Sequence, residues 1–128
     1  RVSWRAVPFA NISPAPGVIK MNIEKYNYVM AETFKDIISG STPVLVDFFA
    51  TWCGPCKMMH PVLEEVARKE GDKVRIIKID IDENRRAAAA YQVRSVPTLM
   101  IFKDGELKWR ESGARSADDL IQTLRQYY

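Results

Sequence analysis

Two cysteines, Cys53 and Cys56, stand two residues apart in Trp52-Cys53-Gly54-Pro55-Cys56-Lys57, and the chain has no others. A pair at that spacing supports two chemistries. In thiol–disulfide exchange one thiolate attacks a disulfide and the second thiol resolves the mixed disulfide that results. The other possibility is half of a tetrahedral zinc site; His60 would extend it to C-x2-C-x3-H, with no fourth partner of the soft or imidazole kind. Pro55 between the cysteines favours redox chemistry. His60 is also a poor base for Cys53, because seven helical residues separate them by ~10 Å of rise, and it reads as a surface histidine. Two more residues carry chemistry by being out of place. Asp47 interrupts the apolar run Val44-Leu45-Val46-Asp47-Phe48-Phe49, where desolvation raises a carboxyl pKa and makes a proton shuttle, unless the charge turns to solvent at the strand end. Lys78 lies in Ile76-Ile77-Lys78-Ile79 and by itself reads as a solvent-facing strand residue.

The elements that position the cysteines follow from periodicity. Val44 to Phe49 is short, apolar and rich in β-branched and aromatic types, which predicts a buried strand. After it Met58, Met59, Val62, Leu63, Val66 and Ala67 recur at helical steps, with Lys57, Glu64, Glu65, Arg68 and Lys69 on the other side. The strand thus delivers Cys53 to a helix N-terminus, where free N–H groups and the helix dipole favour an anion and lower a thiol pKa. Cys53 is expected to be the exposed nucleophile and Cys56, one turn on, the more buried resolving thiol. Pro55 suits a first turn, and Gly54 leaves room for another backbone.

Length and composition bound the rest. One domain is expected from 128 residues, 47% hydrophobic and 27% charged, without repeats. Two cysteines in a CxxC cannot staple a fold. Nineteen basic and 16 acidic residues are spread along the chain for a net charge of +3, so nucleic acid is not indicated as a partner. No apolar run approaches the ~20 residues of a membrane span. Arg5, Pro8, Pro14 and Pro16 interrupt any signal-peptide core, and the first residue is Arg, so a trimmed chain or a removed presequence is expected.

Residues 1–20 read as an extension or linker, whose Trp4, Val7, Phe9 and Ile12 could dock on an apolar surface, with Met21 as a candidate internal start; the domain is residues 21–128. A weak strand is expected over Ile23 to Val29 and a helix over Ala31 to Ser39. A second buried strand runs from Val74 to Asp80, and Asn84 is placed to cap a third helix through Tyr91. Alternating β and α segments predict a parallel arrangement with helices on both faces. Thr98 to Phe102 and Glu106 to Glu111 then form a hairpin around Asp104-Gly105, so one end of the sheet is antiparallel. Ser116 and Asp119 open a last helix with Leu120, Ile121 and Leu124 inward.

Trp-Cys-Gly-Pro-Cys-Lys after Val-Asp-Phe-Phe-Ala-Thr resembles the thioredoxins. So do Pro61 within the helix, Val96-Pro97-Thr98 before an apolar run, and Gly105 and Gly113; the similarity spans roughly Ile23 to Tyr128. The resemblance implies an α/β thioredoxin fold, a mixed sheet of about five strands flanked by about four helices. It implies a monomeric protein-disulfide reductase, with Asp47 beneath the CxxC assisting deprotonation of Cys56 and Lys78 near that aspartate. It also implies a cis Val96-Pro97 bond, and a rim of Trp52, Gly54, Pro55, Val96, Pro97, Gly113 and Ala114 that receives disulfide-containing protein substrates. No metal or bound cofactor is implied; reducing equivalents come from NADPH through thioredoxin reductase, in the cytoplasm. An organelle or periplasm, after loss of a presequence, is the alternative location. An exported oxidant or isomerase, or a redox-independent binding subunit, is the alternative function. Ser95, Ser112 and Phe49 depart from common family choices, which bears on substrate preference and not on the chemistry.

Overall fold

Strand β1 (Val44–Phe49) is apolar on both sides of its pleat because it is covered on both faces, the situation that gives continuous hydrophobic runs. The computed structural model describes residues 34–128. In order, helix α1 (Phe34–Ile38), β1, α2 (Gly54–Glu70), a 3-10 turn (Gly71–Lys73), β2 (Arg75–Asp80), α3 (Arg85–Ala90), the hairpin β3 (Thr98–Lys103) and β4 (Glu106–Ser112), and α4 (Ala117–Arg125) make up these residues. The four strands lie in the order β2-β1-β3-β4. β2 runs parallel to β1; β3 and β4 are antiparallel to their neighbours. The expected mixed sheet is present. The expected strand over Ile23 to Val29 and the reading of residues 1–20 lie outside the described residues.

Alternation along the strands separates two cores. Leu45, Ile76, Leu99 and Ile101 pack under Met59, Leu63, Val66 and Ala67 of α2 and Leu120, Ile121 and Leu124 of α4. On the opposite face Val46, Phe48, Ile77, Ile79, Met100 and Phe102 pack on Phe34, Ile37 and Ile38 of α1 and Ala87 of α3. Phe34 meets Phe102 and Tyr91 edge-on at 5.4 and 5.3 Å between centroids. By the same alternation Asp47 falls on the α2 side, with Leu45.

The β3–β4 turn follows its residue types. Asp104 and Gly105 have φ of 55° and 81°, both positive as a type I′ hairpin requires. Their N–H groups donate to the carbonyls of Gly40 and Ile38 (2.9 Å each), fastening the hairpin to the end of α1. Three local expectations need correction. Met58 is 68% exposed, since the stripe buried by α2 runs through Met59 and Leu63 instead. Asn84 occupies the N-cap of α3 without a side-chain cap; it is buried, and its amide reaches back to the Asp80 carbonyl at 3.1 Å. α3 ends at Ala90, one residue before Tyr91.

Candidate functional site

Past the C-terminal end of β1, Ala50-Thr51-Trp52 leads the chain to α2, and Cys53 N–H closes the turn on the Ala50 carbonyl at 3.2 Å. Cys53 is the N-cap of α2, with extended backbone (φ −93°, ψ 117°), and its sulfur accepts the Cys56 N–H at 3.1 Å. That is the capping role usually filled by a serine or aspartate oxygen, here held by sulfur. Pro55 lies in the first turn, where its lack of N–H removes no helical bond. One turn of helix brings the two cysteines to 5.3 Å between Cα atoms, and they are joined as a disulfide. A helix start thus supplies both the geometry for closure and the donor that stabilises a Cys53 thiolate when the bond opens.

Both cysteines are buried, Cys53 at 5% and Cys56 at 2% exposure, so Cys53 is not the exposed residue expected from its place at a helix start. It packs with Ala50, Cys56, Phe49, Ile81 and Val96. The Val96–Pro97 bond is cis, and the Val96 carbonyl oxygen lies 3.7 Å from Cys53 Sγ. Gly113, at φ 98°, donates its N–H to the Pro97 carbonyl at 2.8 Å, which holds the segment after β4 beside the proline. Gly54, Pro55 and Ala114 are exposed and Gly113 and Val96 half-buried, while Pro97 itself is buried.

Trp52 is 68% exposed yet anchored, since its indole N–H donates to Asp82 Oδ2 at 2.9 Å. Asp82 in turn is oriented by its own N–H, which donates to Asp80 Oδ1 at 2.8 Å. Sequence reasoning missed Asp82. Its only local signal is a polar stretch after β2, which loops share generally.

Asp47 is fully buried, so the solvent-facing alternative does not hold. Among the described residues neither of its carboxylate oxygens has a hydrogen-bond partner. Burial pushes its pKa up to about 7, and the positive charge of Lys78 opposes the shift. Lys78 sits opposite Asp47 in the parallel β1–β2 register, is only 8% exposed, and places its ammonium 4.7 Å above the Phe49 ring. It is thus an inward residue rather than a solvated one. Phe49, Ala50, Thr51, Cys56, Lys57, His60 and Lys78 line an open cleft of about 320 Å³, which gives solvent a route to the Cys56 side of the pair. His60 stands 3.6 Å from Glu64 on the outside of α2. Among the described residues no group of three or more His, Cys, Asp or Glu side chains could hold a metal ion, and no helix is long and apolar enough to cross a membrane.

A cysteine pair joined at a helix start, a cis-proline loop against Cys53, and a carboxyl poised near neutrality on the sheet face beneath that helix define a thiol–disulfide oxidoreductase. The Thioredoxin family model matches residues 25–126. Thioredoxin 1 of Synechococcus elongatus is 48% identical over 93 residues, covering 72% of this chain and 87% of that protein. A Mycolicibacterium smegmatis thioredoxin is 50% identical over 91 residues, covering 70% and 81%. Among solved structures a thioredoxin variant from Halobacterium salinarum superposes with a TM-score of 0.67 at 44% identity, covering 73% of this chain and 80% of that one. Oxidised mitochondrial thioredoxin 3 of Saccharomyces cerevisiae gives 0.66 at 36%, covering 73% and 86%. The chain belongs to the thioredoxin family.

Proposed function

We propose that this chain reduces protein disulfides through Cys53 as nucleophile and Cys56 as resolving thiol. The observation that carries the reading is the capping bond from Cys56 N–H to Cys53 Sγ, which favours the thiolate at Cys53 over Cys56. The Cys53 thiolate attacks one substrate sulfur, forming a mixed disulfide and releasing the other substrate thiolate. Asp47 then accepts the Cys56 proton, and the Cys56 thiolate attacks Cys53 Sγ to release the second substrate thiol. The substrate disulfide gains two electrons and two protons, and the Cys53–Cys56 bond is restored. Lys78 moderates the basicity of Asp47 through the charge interaction between them.

The substrate meets the rim of Trp52, Gly54, Pro55, Val96, Pro97, Gly113 and Ala114, pairing as an extended strand with the backbone of Val96. Support comes from the 3.7 Å separation of the Val96 carbonyl and Cys53 Sγ. No bound cofactor takes part. Reducing equivalents come from NADPH by way of thioredoxin reductase, and the protein works as a cytoplasmic monomer, residues 21–128 forming the domain.

The test is trapping from a lysate: Cys56→Ser should accumulate mixed disulfides through Cys53, and Cys53→Ser should accumulate none. If Cys56→Ser traps no protein, the mechanism is wrong. A reduction potential near about −270 mV would fit a general reductase, and one near about −180 mV an isomerase.

A further inference from the structure

Three hydroxyl groups close a ring behind the Val96–Pro97 bond. Thr98 Oγ1 donates to the Ser95 carbonyl at 2.7 Å, and Ser95 Oγ donates to Ser112 Oγ at 3.3 Å. Thr98 Oγ1 and Ser112 Oγ are 3.2 Å apart. Each hydroxyl has a single proton, and those of Thr98 and Ser95 are already committed. Ser112 is therefore the donor to Thr98. The ring runs in one direction, Ser95 hydroxyl to Ser112 to Thr98 to Ser95 carbonyl, an arrangement in which each bond polarises the next. Thr98 and Ser112 are partners in the β3–β4 register, so the ring is mounted on the paired ends of two strands.

The ring grips one peptide plane. In the trans Ser95–Val96 unit the carbonyl and the following N–H point in opposite directions. With the Ser95 carbonyl turned in to Thr98, the Val96 N–H is turned the other way, and among the described residues it has no backbone hydrogen bond. On the far side of the proline, the Pro97 carbonyl is held by Gly113 N–H at 2.8 Å. Both ends of the short loop are thus fixed, with the Val96 carbonyl oxygen 3.7 Å from the Cys53 sulfur and the Val96 N–H without a backbone partner among the described residues.

We infer that Ser112, acting with Ser95 and Thr98, is a positioning residue for protein disulfides. It sets the plane of Val96 N–H against which an extended substrate docks, without touching the reacting sulfurs. The inference rests on the reading of Val96 as the strand-pairing residue. A substrate too small to form strand hydrogen bonds does not need that plane, which separates the ring from the chemistry.

The experiment compares insulin with dithiobis-nitrobenzoate as substrates for wild type, Ser112→Val, Ser112→Thr and Ser95→Ala, each reduced with dithiothreitol and then freed of it, with kcat and KM read as the limiting rate and half-saturating substrate concentration of the single-turnover oxidation. Ser112→Val should raise KM for insulin about five-fold with kcat little changed, and leave the small disulfide untouched. Ser112→Thr keeps the hydroxyl and should match wild type. Ser95→Ala, at an exposed position that folding tolerates, should give a smaller rise of the same kind and covers the case in which Ser112→Val misfolds. Unchanged insulin kinetics in these variants, or equal losses on both substrates, would overturn the role of the ring. Failure of wild type itself to reduce insulin would overturn the reductase reading instead.

Discussion

Asp47 and Lys78 are paired across the parallel β1–β2 ladder and both buried, yet among the described residues neither carboxylate oxygen of Asp47 has a hydrogen-bond partner. A buried charge without a hydrogen-bond partner is costly, and the cost is relieved by protonation. That is why burial leads the upward shift of Asp47 to about 7 and the charge of Lys78 offsets it only in part.

Stability should therefore fall with rising pH. The folded pKa of Asp47 lies above the unfolded value of 3.8, so the folded protein binds the proton more tightly. The penalty is absent below the lower value, grows through the interval up to about 7, and is constant above it. Its full size is on the order of 4 kcal/mol. Urea unfolding of the oxidised protein at several pH values should show this decline, and Asp47→Asn should flatten it.

Turnover should carry the same titration with the opposite sense. Asp47 must be ionised to take the Cys56 proton, so release of substrate from the mixed disulfide should accelerate with an inflection near pH 7. Asp47→Asn should slow that step and remove the inflection. Lys78→Met, which deletes the charge that lowers the Asp47 pKa, should move it to higher pH. Stopped-flow measurement of release from a preformed mixed disulfide checks all three, and an inflection unmoved in Lys78→Met would break the coupling.

Asp82 holds the Trp52 indole at 2.9 Å, and Trp52 supplies much of the exposed apolar surface beside the cysteines. Asp82→Ala should release the ring, changing Trp52 fluorescence relative to wild type. Losing one charge-assisted hydrogen bond at an exposed position should weaken protein-substrate binding by about 1 kcal/mol, read as KM for insulin.

The far end of α2 is closed by another long-range clasp. Glu70 is buried and accepts hydrogen bonds from Tyr128 Oη and from Arg125 Nε and Nη2, at 3.4 and 3.2 Å for the arginine. Burial alone would raise its pKa; the bonds from Tyr128 and Arg125 prevail and lower it below 4.5. Its contribution should be present above that value and lost as pH falls through the lower folded pKa. Glu70→Ala should cost about 2 kcal/mol at pH 7 by chemical denaturation, the size expected for charge-assisted bonds, and progressively less as pH falls below 4.5.

The elements closest to the chemistry were legible because their causes are local. A β-branched run ending in a CxxC, followed by apolar residues at helical spacing, dictates a strand leading into a helix capped by Cys53, and Asp104-Gly105 dictates a hairpin turn through its positive φ angles. Even Asp47 was readable, as a charge set in an apolar strand. Burial by neighbours was less so. Cys53 is covered because Val96, Ile81 and Phe49 close over it, and Lys78 faces inward because β2 pairs with β1 in a register that puts it opposite Asp47.

Sequence by itself thus determined which residues hold the thiols, the helix that Cys53 caps, and the order of strands and helices, because period, capping and turn preference act over a few residues. Tertiary structure decided the rest. The bond from Trp52 to Asp82 spans 30 positions, that from Glu70 to Tyr128 spans 58, and the one from Ser95 to Ser112 spans 17. Hydrogen-bonding side chains at such separations look like any other polar residues along the chain. Only sheet register and helix packing bring them to within 3.5 Å or leave them in water.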